Sequence, residues 1–264
     1  MKKNPVKEKL RRGEPSFGTW LSFANLLAAR ALARSGFDWL TLDIEHQGID
    51  WELATTLMAS IADAGCVPLV RVPEGDYTTI KRALDCGAFG IVVPMVDTVE
   101  QAKTVVNAAK YPPEGNRSLG GAQAQLNFDA PPAEYFEKVN DEILVILQTE
   151  SPTGVRNAEE IYAVDGVDGI FVGPVDLSAR VHADGHKPTA DEFEALIQAV
   201  VDAGKKTGTP TGMHTMSAAD ALMRAQRGMQ FIAVGSDMRL MLQQAREDIG
   251  ELGTAGDRQE VAKY

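Results

Sequence analysis

The chain has 264 residues, 44% of them hydrophobic, enough for one large core, and its formal net charge is −11. A negative field of that size repels phosphate backbones and argues against nucleic acid as a partner, while an anionic small substrate needs only a local positive pocket. No apolar run reaches the roughly 18 residues of a membrane span, the basic Met1–Arg12 stretch leads into no apolar signal segment, and Cys66 and Cys86 form no Cys-x-x-Cys pair. A cytoplasmic protein with reduced thiols and no membrane partner is expected.

Short apolar runs rich in β-branched and aromatic residues alternate with helical periodicity. In chain order the predicted strands are Phe17–Leu21, Phe37–Asp43, Val67–Arg71, Phe89–Pro94, Ile143–Thr149, Gly169–Gly173, Thr209–Met213 and Gln230–Val234. Several are apolar on consecutive residues, as strands covered on both faces are. Between them, Val99, Ala102, Val105, Val106 and Ala109 form one helical stripe, and Phe193, Leu196, Ile197, Val200 and Val201 another. Ser217 opens a further helix with Asp220 in its first turn. The runs beginning Cys86-Gly-Ala-Phe, Val167-Asp-Gly-Ile and Arg227-Gly-Met-Gln echo one another: a turn, an apolar strand, then Gly or Pro. The longest irregular stretch is 111–132, rich in Pro and Gly, of the length that is often functional. Successive βα units without a long linker predict an α/β fold of the (β/α)₈ TIM-barrel kind, a single domain over residues 1–250 with a polar tail at 251–264; a doubly wound open sheet is the alternative.

Polar groups gather just past the predicted strand ends, the face that carries active sites in such barrels. Asp43, Glu45 and His46 follow the second strand, Arg71 ends the third, Gln148-Thr-Glu150 ends the fifth, and the sixth runs into Gly173-Pro-Val-Asp176-Leu-Ser178. Glu150 and Asp176 on adjacent strand ends would repel without a cation between them, and carboxylate oxygens suit Mg²⁺ or Mn²⁺; a helix-capping role for Asp176 is the other reading. Arg71 can fork onto a carboxylate or enolate oxygen, or serve a structural ion pair. His46 beside two acids can act as a general base, or be surface filler. No lysine lies in any predicted strand, and the nearest, Lys81, sits beside Arg82 in a helical stretch. A Schiff-base aldolase needs a desolvated lysine, so carbanion chemistry here calls for a metal as electron sink and no organic cofactor.

Over nearly its whole length the chain resembles the HpcH/HpaI aldolases, a family that also goes by 4-hydroxy-2-oxoheptanedioate or 2-keto-3-deoxy-sugar-acid aldolase. The resemblance rests on Phe17-Gly-Thr-Trp20, Gly36-Phe-Asp-Trp-Leu-Thr-Leu-Asp-Ile-Glu-His46, Val70-Arg71, Leu84-Asp85-Cys-Gly, Pro94-Met-Val-Asp, Tyr111-Pro-Pro-Glu-Gly-Asn-Arg117, Gln148-Thr-Glu150 and Gly173-Pro-Val-Asp-Leu-Ser178. It implies a phosphoenolpyruvate/pyruvate-type barrel that reversibly cleaves a 4-hydroxy-2-oxo acid into pyruvate and an aldehyde through a metal-stabilised enolate. Glu150 and Asp176 are implied as ligands of a divalent ion, Mg²⁺ or Mn²⁺, with Co²⁺ or Zn²⁺ as further options. Arg71 is implied at the keto oxygen, and His46, oriented by Asp85, as the base. Trp20 and Gln148 are implied in the pocket. The backbone of Gly173, Pro174, Val175 and Asp176, with Leu177 and Ser178 next to it, is implied around the pyruvate carboxylate. Asp43 and Glu45 would support these groups, and a homohexamer that exchanges a C-terminal helix is implied.

Two stretches depart from the family's pattern: Gly120-Gly-Ala-Gln-Ala-Gln125, where relatives often carry another arginine, and Met213-His214 at the end of strand seven. Gln123, Gln125, Met213 and His214 are therefore expected to shape the choice of acceptor aldehyde. An oxaloacetate decarboxylase or CoA-ester lyase on the same enolate site, and a non-catalytic keto-acid-binding barrel, are the alternatives to an aldolase.

Overall fold

The computed structural model describes residues 1–183, 185 and 187–253. In chain order it runs α1 (Pro5–Arg11), β1 (Ser16–Leu21), α2 (Leu26–Leu32), β2 (Trp39–Asp43), α3 (Trp51–Asp63), β3 (Val67–Arg71), α4 (Tyr77–Asp85) and β4 (Gly90–Val93). It continues with α5 (Val99–Ala109), α6 (Ala122–Asn127), α7 (Pro132–Glu142), β5 (Leu144–Thr149), α8 (Pro152–Arg156), α9 (Ala158–Tyr162), β6 (Gly169–Val172) and α10 (Pro174–His182). The last elements are α11 (Ala190–Thr207), β7 (Thr211–Thr215), α12 (Ala218–Gln226), β8 (Phe231–Ser236) and α13 (Asp237–Glu251). The strands form a closed parallel barrel in sequence order, with β1 pairing back on β8. The expected barrel stands, and the open doubly wound sheet does not. The expected polar tail from residue 254 onward lies outside the described residues.

Residue alternation builds the interior. A Cβ at Gly18 would lie 2.0 Å from the ring of Trp39, its register partner across β1 and β2, so only glycine admits that indole. Trp39 stacks on Phe231 at 4.3 Å, Phe231 meets Phe171 edge-on at 5.9 Å, and Phe171 meets Trp20 at 5.5 Å. This aromatic column fills the barrel and ends, on the C-terminal side, in Trp20. The outer helices are set by local chemistry: capping boxes open α5 (Thr98 with Gln101) and α11 (Thr189 with Glu192), and Ser217 caps α12 through the Asp220 N–H.

The N-terminal helix was not foreseen. Asn4 caps α1 and its amide donates to the carbonyls of Phe89 (3.2 Å) and Glu142 (3.0 Å). Lys7 donates to the Ile143 carbonyl at 2.7 Å and pairs with Asp168 at 2.8 Å. Those partners lie immediately ahead of β4, β5 and β6, so α1 closes the N-terminal end of the barrel, with Val6 and Leu10 buried. Lys110 joins the same buried cluster through the Asn140 and Ile143 carbonyls. Burial, reinforced by Lys7, pushes its ammonium down to about 8.

Several strand ends lie one or two residues from where they were expected, and two differences bear on the site. The strand expected at Thr209–Met213 is Thr211–Thr215, because α11 ends on left-handed Gly208 and Pro210, which has no N–H, starts the strand after itself. The segment 111–132, expected to be irregular, contains α6, which opens on left-handed Gly121 and packs against α3 and α4 in the outer layer.

Where β7 and β8 approach, a Cβ on Gly212 would fall 1.6 Å from the Phe231 carbonyl oxygen. Gly212→Ala should cost about 3 kcal/mol or more, since both atoms are backbone-anchored within one sheet. Gly48→Ala, with nothing within 4 Å of the new methyl, is the control. Urea denaturation reads both, and a fully stable Gly212→Ala would contradict this close approach.

Candidate active site

Charged side chains converge at the C-terminal ends of the strands around one guanidinium. Arg71, the last residue of β3, forks onto Asp43, its register partner at the end of β2, with Nε–Oδ1 3.0 Å and Nη2–Oδ2 2.8 Å. Its Nε also lies 3.1 Å from Glu45 Oε2. The guanidinium stacks on Trp20 at 4.5 Å from the ring centroid, so the aromatic column forms its floor. Nη1 has no hydrogen bond among the described residues. Asp43 also accepts the His46 N–H at 3.3 Å, which ties the turn after β2 to the same carboxylate.

Glu150 follows β5 and is buried. It accepts from the Met95 N–H (2.8 Å) and from Gln148 Nε2 (2.8 Å). Burial, then the charges of Asp176 and Glu45, outweighs the Met95 hydrogen bond and Arg71 and raises the carboxyl to about 7. Glu45 is also raised, by burial first, against the opposing pull of Arg71. Gln148 keeps a buried Oε1 with no partner among the described residues. The Gly173 backbone lies so close to Glu150 that a Cβ would stand 2.5 Å from Oε2.

Asp176 sits in the first turn of α10, exposed. The N-cap of that helix is Gly173, which offers no side-chain cap, and Pro174 has no N–H to satisfy. The N–H groups that begin at Val175 are thereby open at a positive helix end, a ready seat for a carboxylate. Val175 is exposed and Ser178 half-buried, while Leu177 is fully buried and anchors the helix to the core.

Acid oxygens outnumber cations here, Glu150 holds its proton to near neutrality, and Gln148 presents an unpartnered oxygen. Such an oxygen-rich donor set fits a divalent cation held by Glu150 and Asp176. Among the described residues no three His, Cys, Asp or Glu side chains are placed to hold one metal ion together, so the fit is with two carboxylate ligands.

Other expected residues are placed differently. The His46 imidazole is more than half exposed, with Nε2 3.7 Å from Glu45 Oε2. Asp85 pairs with the fully buried guanidinium of Arg117 at 2.7 Å, and no hydrogen bond joins it to His46 among the described residues. The reason is topological: α4 returns from the end of β3 toward the start of β4, so Asp85 lies in the outer layer rather than among strand ends. Gln123 and Gln125 lie on α6 in that layer too, Gln123 bonded to Asn127 at 2.8 Å, and within the chain neither joins His214. The β7 alternation separates the other expected pair: His214 faces inward, 6.4 Å from the Trp20 ring, and turns the buried Met213 toward the helices.

Met95 was missed by sequence reasoning. It follows β4 with φ 60°, unusual for a non-glycine residue, and this turn aims its N–H at Glu150. The Pro94-Met95 step was the one available signal.

Comparisons with known proteins bear on the fold and the family. The family model described as HpcH/HpaI aldolase/citrate lyase matches residues 16–244. A hydroxypyruvate/pyruvate aldolase of Chromohalobacter salexigens is 40% identical over 247 residues, 94% of this chain and 96% of that protein. A 5-keto-4-deoxy-D-glucarate aldolase of Klebsiella pneumoniae is 38% identical over 237 residues, 89% of this chain and 91% of that protein. A crystal structure of an HpcH/HpaI aldolase/citrate lyase family protein from Burkholderia cenocepacia superposes with a TM-score of 0.86 at 34% identity, over 95% of this chain and 99% of that one. The family match takes in all eight strands and reaches into α13, and the chain belongs to the HpcH/HpaI aldolase/citrate lyase family.

Proposed function

We propose that this carbon–carbon lyase is a divalent-metal-dependent aldolase that reversibly cleaves a 4-hydroxy-2-oxo acid into pyruvate and an aldehyde by way of the pyruvate enolate. The observation that carries the reading is the strand-end cluster: Asp43, Glu45, Glu150 and Asp176 gathered about Arg71, with Glu150 raised to about 7. A divalent ion held by Glu150 and Asp176, with Mg²⁺ or Mn²⁺ the best suited, would supply Lewis-acid polarisation of the substrate's keto carbonyl.

The chain's own groups do the rest. The open N–H groups at the start of α10 receive the carboxylate of the pyruvate half. Arg71 Nη1, held rigid by Asp43 and Trp20, points charge at the keto oxygen, where negative charge builds as the C3–C4 bond breaks. His46, through a water, takes the C4 hydroxyl proton as the aldehyde leaves, and a proton returned to C3 completes pyruvate. Buried Trp20 closes the floor against solvent.

A homo-oligomer, a hexamer in its finer form, is part of this proposal. Within the chain α13 buries only Asp237, and Met241, Ile249 and Leu252 stay exposed. Leu119 and Leu126, on the segment that wraps Asp85, are exposed as well. In such an assembly Asp85 would have to serve a His46 from another copy. A cytoplasmic setting with reduced Cys66 and Cys86 completes the proposal; both cysteines are free, and no described helix is long and apolar enough to cross a membrane.

Arg71→Ala should lower kcat/KM for pyruvate release by about 10³-fold, the scale of removing one oxyanion donor, while divalent-ion binding measured by calorimetry persists. Near-wild-type turnover would remove Arg71 from the mechanism.

Glu150 gives a pH signature. Its folded value of about 7 exceeds the ordinary 4.5, so the EDTA-treated protein binds more protons folded than unfolded between those values. Stability should therefore fall as pH rises from about 5 to about 7.5, by up to about 3 kcal/mol. Added Mg²⁺ should raise the melting temperature more at pH 8 than at pH 5.5, and Glu150→Gln should abolish both trends. A melting temperature indifferent to Mg²⁺ at both pH values would contradict the assignment.

A further inference from the structure

The turn after β4 is bound to the segment around the end of β5 at three consecutive residues. Met95 gives its N–H to Glu150 Oε1 at 2.8 Å, Val96 gives its own to the Gln148 carbonyl at 3.3 Å, and the Asp97 carbonyl accepts from Asn157 Nδ2 at 2.8 Å. The Asp97 side chain closes the series, its Oδ1 accepting from Ser151 Oγ at 2.5 Å. Ser151 follows Glu150 directly, and its hydroxyl oxygen already accepts the Gly154 N–H at 2.9 Å as the cap of α8. A hydroxyl has one proton to give, and Asp97 receives it. Glycine at 154 makes room for the pair: a Cβ there would lie 2.9 Å from Asp97 Oδ1.

Asp97 is held from behind as well. Its N–H and that of Thr98 donate to Gln101 Oε1 at 2.8 and 3.0 Å, inside the capping box of α5. Between this anchor and Glu150 stands Met95 at φ 60°, a backbone that a non-glycine residue keeps only where its surroundings hold it. Half-buried Asp97 forms no ion pair among the described residues, so its carboxylate serves the hydroxyl next to Glu150 rather than a cation. Both donors on the Glu150 carboxylate belong to this seam: the Met95 N–H, and Nε2 of Gln148, whose carbonyl takes the Val96 N–H.

We propose that Asp97 is a positioning residue for metal binding: through Ser151 and the Met95 turn it holds the Glu150 carboxylate in the orientation that receives the divalent ion. The inference rests on the metal-dependent reading of the site and deepens it by naming a residue that acts on the ligand rather than on the ion. Groups that orient a metal-binding side chain from behind govern affinity by about 10–100-fold. Without the Asp97 clamp, Met95 would relax to negative φ, its N–H would turn off Oε1, and Glu150 would keep Gln148 alone.

The test is Mn²⁺ binding to EDTA-treated, desalted protein, by calorimetry and by electron paramagnetic resonance of the free ion, with melting temperatures measured in parallel. Asp97→Ala should weaken binding about tenfold or more. Asp97→Asn, whose amide oxygen still accepts from Ser151, should keep most of the affinity; a loss as large as that of Asp97→Ala would overturn the hydrogen-bonded clamp. Ser151→Ala removes the same hydrogen bond from the other side, so the double variant should lose little more than the weaker-binding single one, and additive losses would count against the pairing. Thr98→Ala removes the cap of α5 beside Asp97 and should lower the melting temperature while binding Mn²⁺ as the wild type does. A merely structural Asp97 would behave like Thr98, losing stability with affinity intact, which would overturn the proposal. If Asp97→Ala does not fold, wild-type affinity in folded Ser151→Ala overturns it equally. Wild-type protein that binds Mn²⁺ no better than Asp97→Ala sinks this inference alone; wild-type protein that binds neither Mn²⁺ nor Mg²⁺ sinks the metal reading with it.

Discussion

Negative charge crowded around a single guanidinium at one end of a barrel is the constraint to which the rest of the site answers. Asp43 and Glu45 fix Arg71 from one side and Trp20 supports it from below. That arrangement neutralises part of the cluster and leaves Glu150 buried and raised, with Asp176 adding to its repulsion. Met95 adopts a costly backbone conformation to give Glu150 one N–H, and Gly173 gives up its side chain to let the backbone come close. In a medium less polar than water such a cluster is stable only when protonated or when a cation enters it. On the proposed function, protonation and cation binding would be alternatives at the same carboxylate.

The two ends of the barrel divide the work. At the N-terminal end, α1 covers the opening with buried Val6 and Leu10, and the Lys7–Asp168 pair is tied to backbone carbonyls on neighbouring strands. Through the middle, the stack from Trp39 to Trp20 packs ring against ring. With stability secured below and within, the C-terminal face can keep unsatisfied groups: Arg71 Nη1, Gln148 Oε1 and the start of α10. This division is the general one for parallel barrels, in which strand-end loops carry function and the opposite face carries stability.

Much of this was legible in the sequence because period and position carry it. Apolar runs at regular spacing give the strands, and Asp43, Arg71, Glu150 and Asp176 lie at strand ends simply by ending or following those runs. What sequence reasoning missed depends on geometry that spacing does not encode. Met213 and His214 were expected to act together, but adjacent residues of a strand face opposite ways, and the two-residue extension of β7 past Met213 makes His214 part of that alternation, facing inward. Gln123 and Gln125 look like loop residues next to an active site until α6 is seen packed in the helical layer. Asp85 meets Arg117 because a helix in a βα unit runs back along the barrel, a relation fixed by topology. Met95 and α1 act through backbone direction and long-range contacts that one sequence does not reveal.

The central claim is that this site forms a pyruvate enolate with the help of a divalent ion. Its most direct test is hydrogen–deuterium exchange at the pyruvate methyl group in D₂O, followed by NMR with and without EDTA, since it needs no knowledge of the aldehyde. The account predicts exchange that requires added Mg²⁺ or Mn²⁺ and disappears on chelation. Exchange that survives complete metal removal, or no exchange with any divalent ion in well-folded protein, would contradict it.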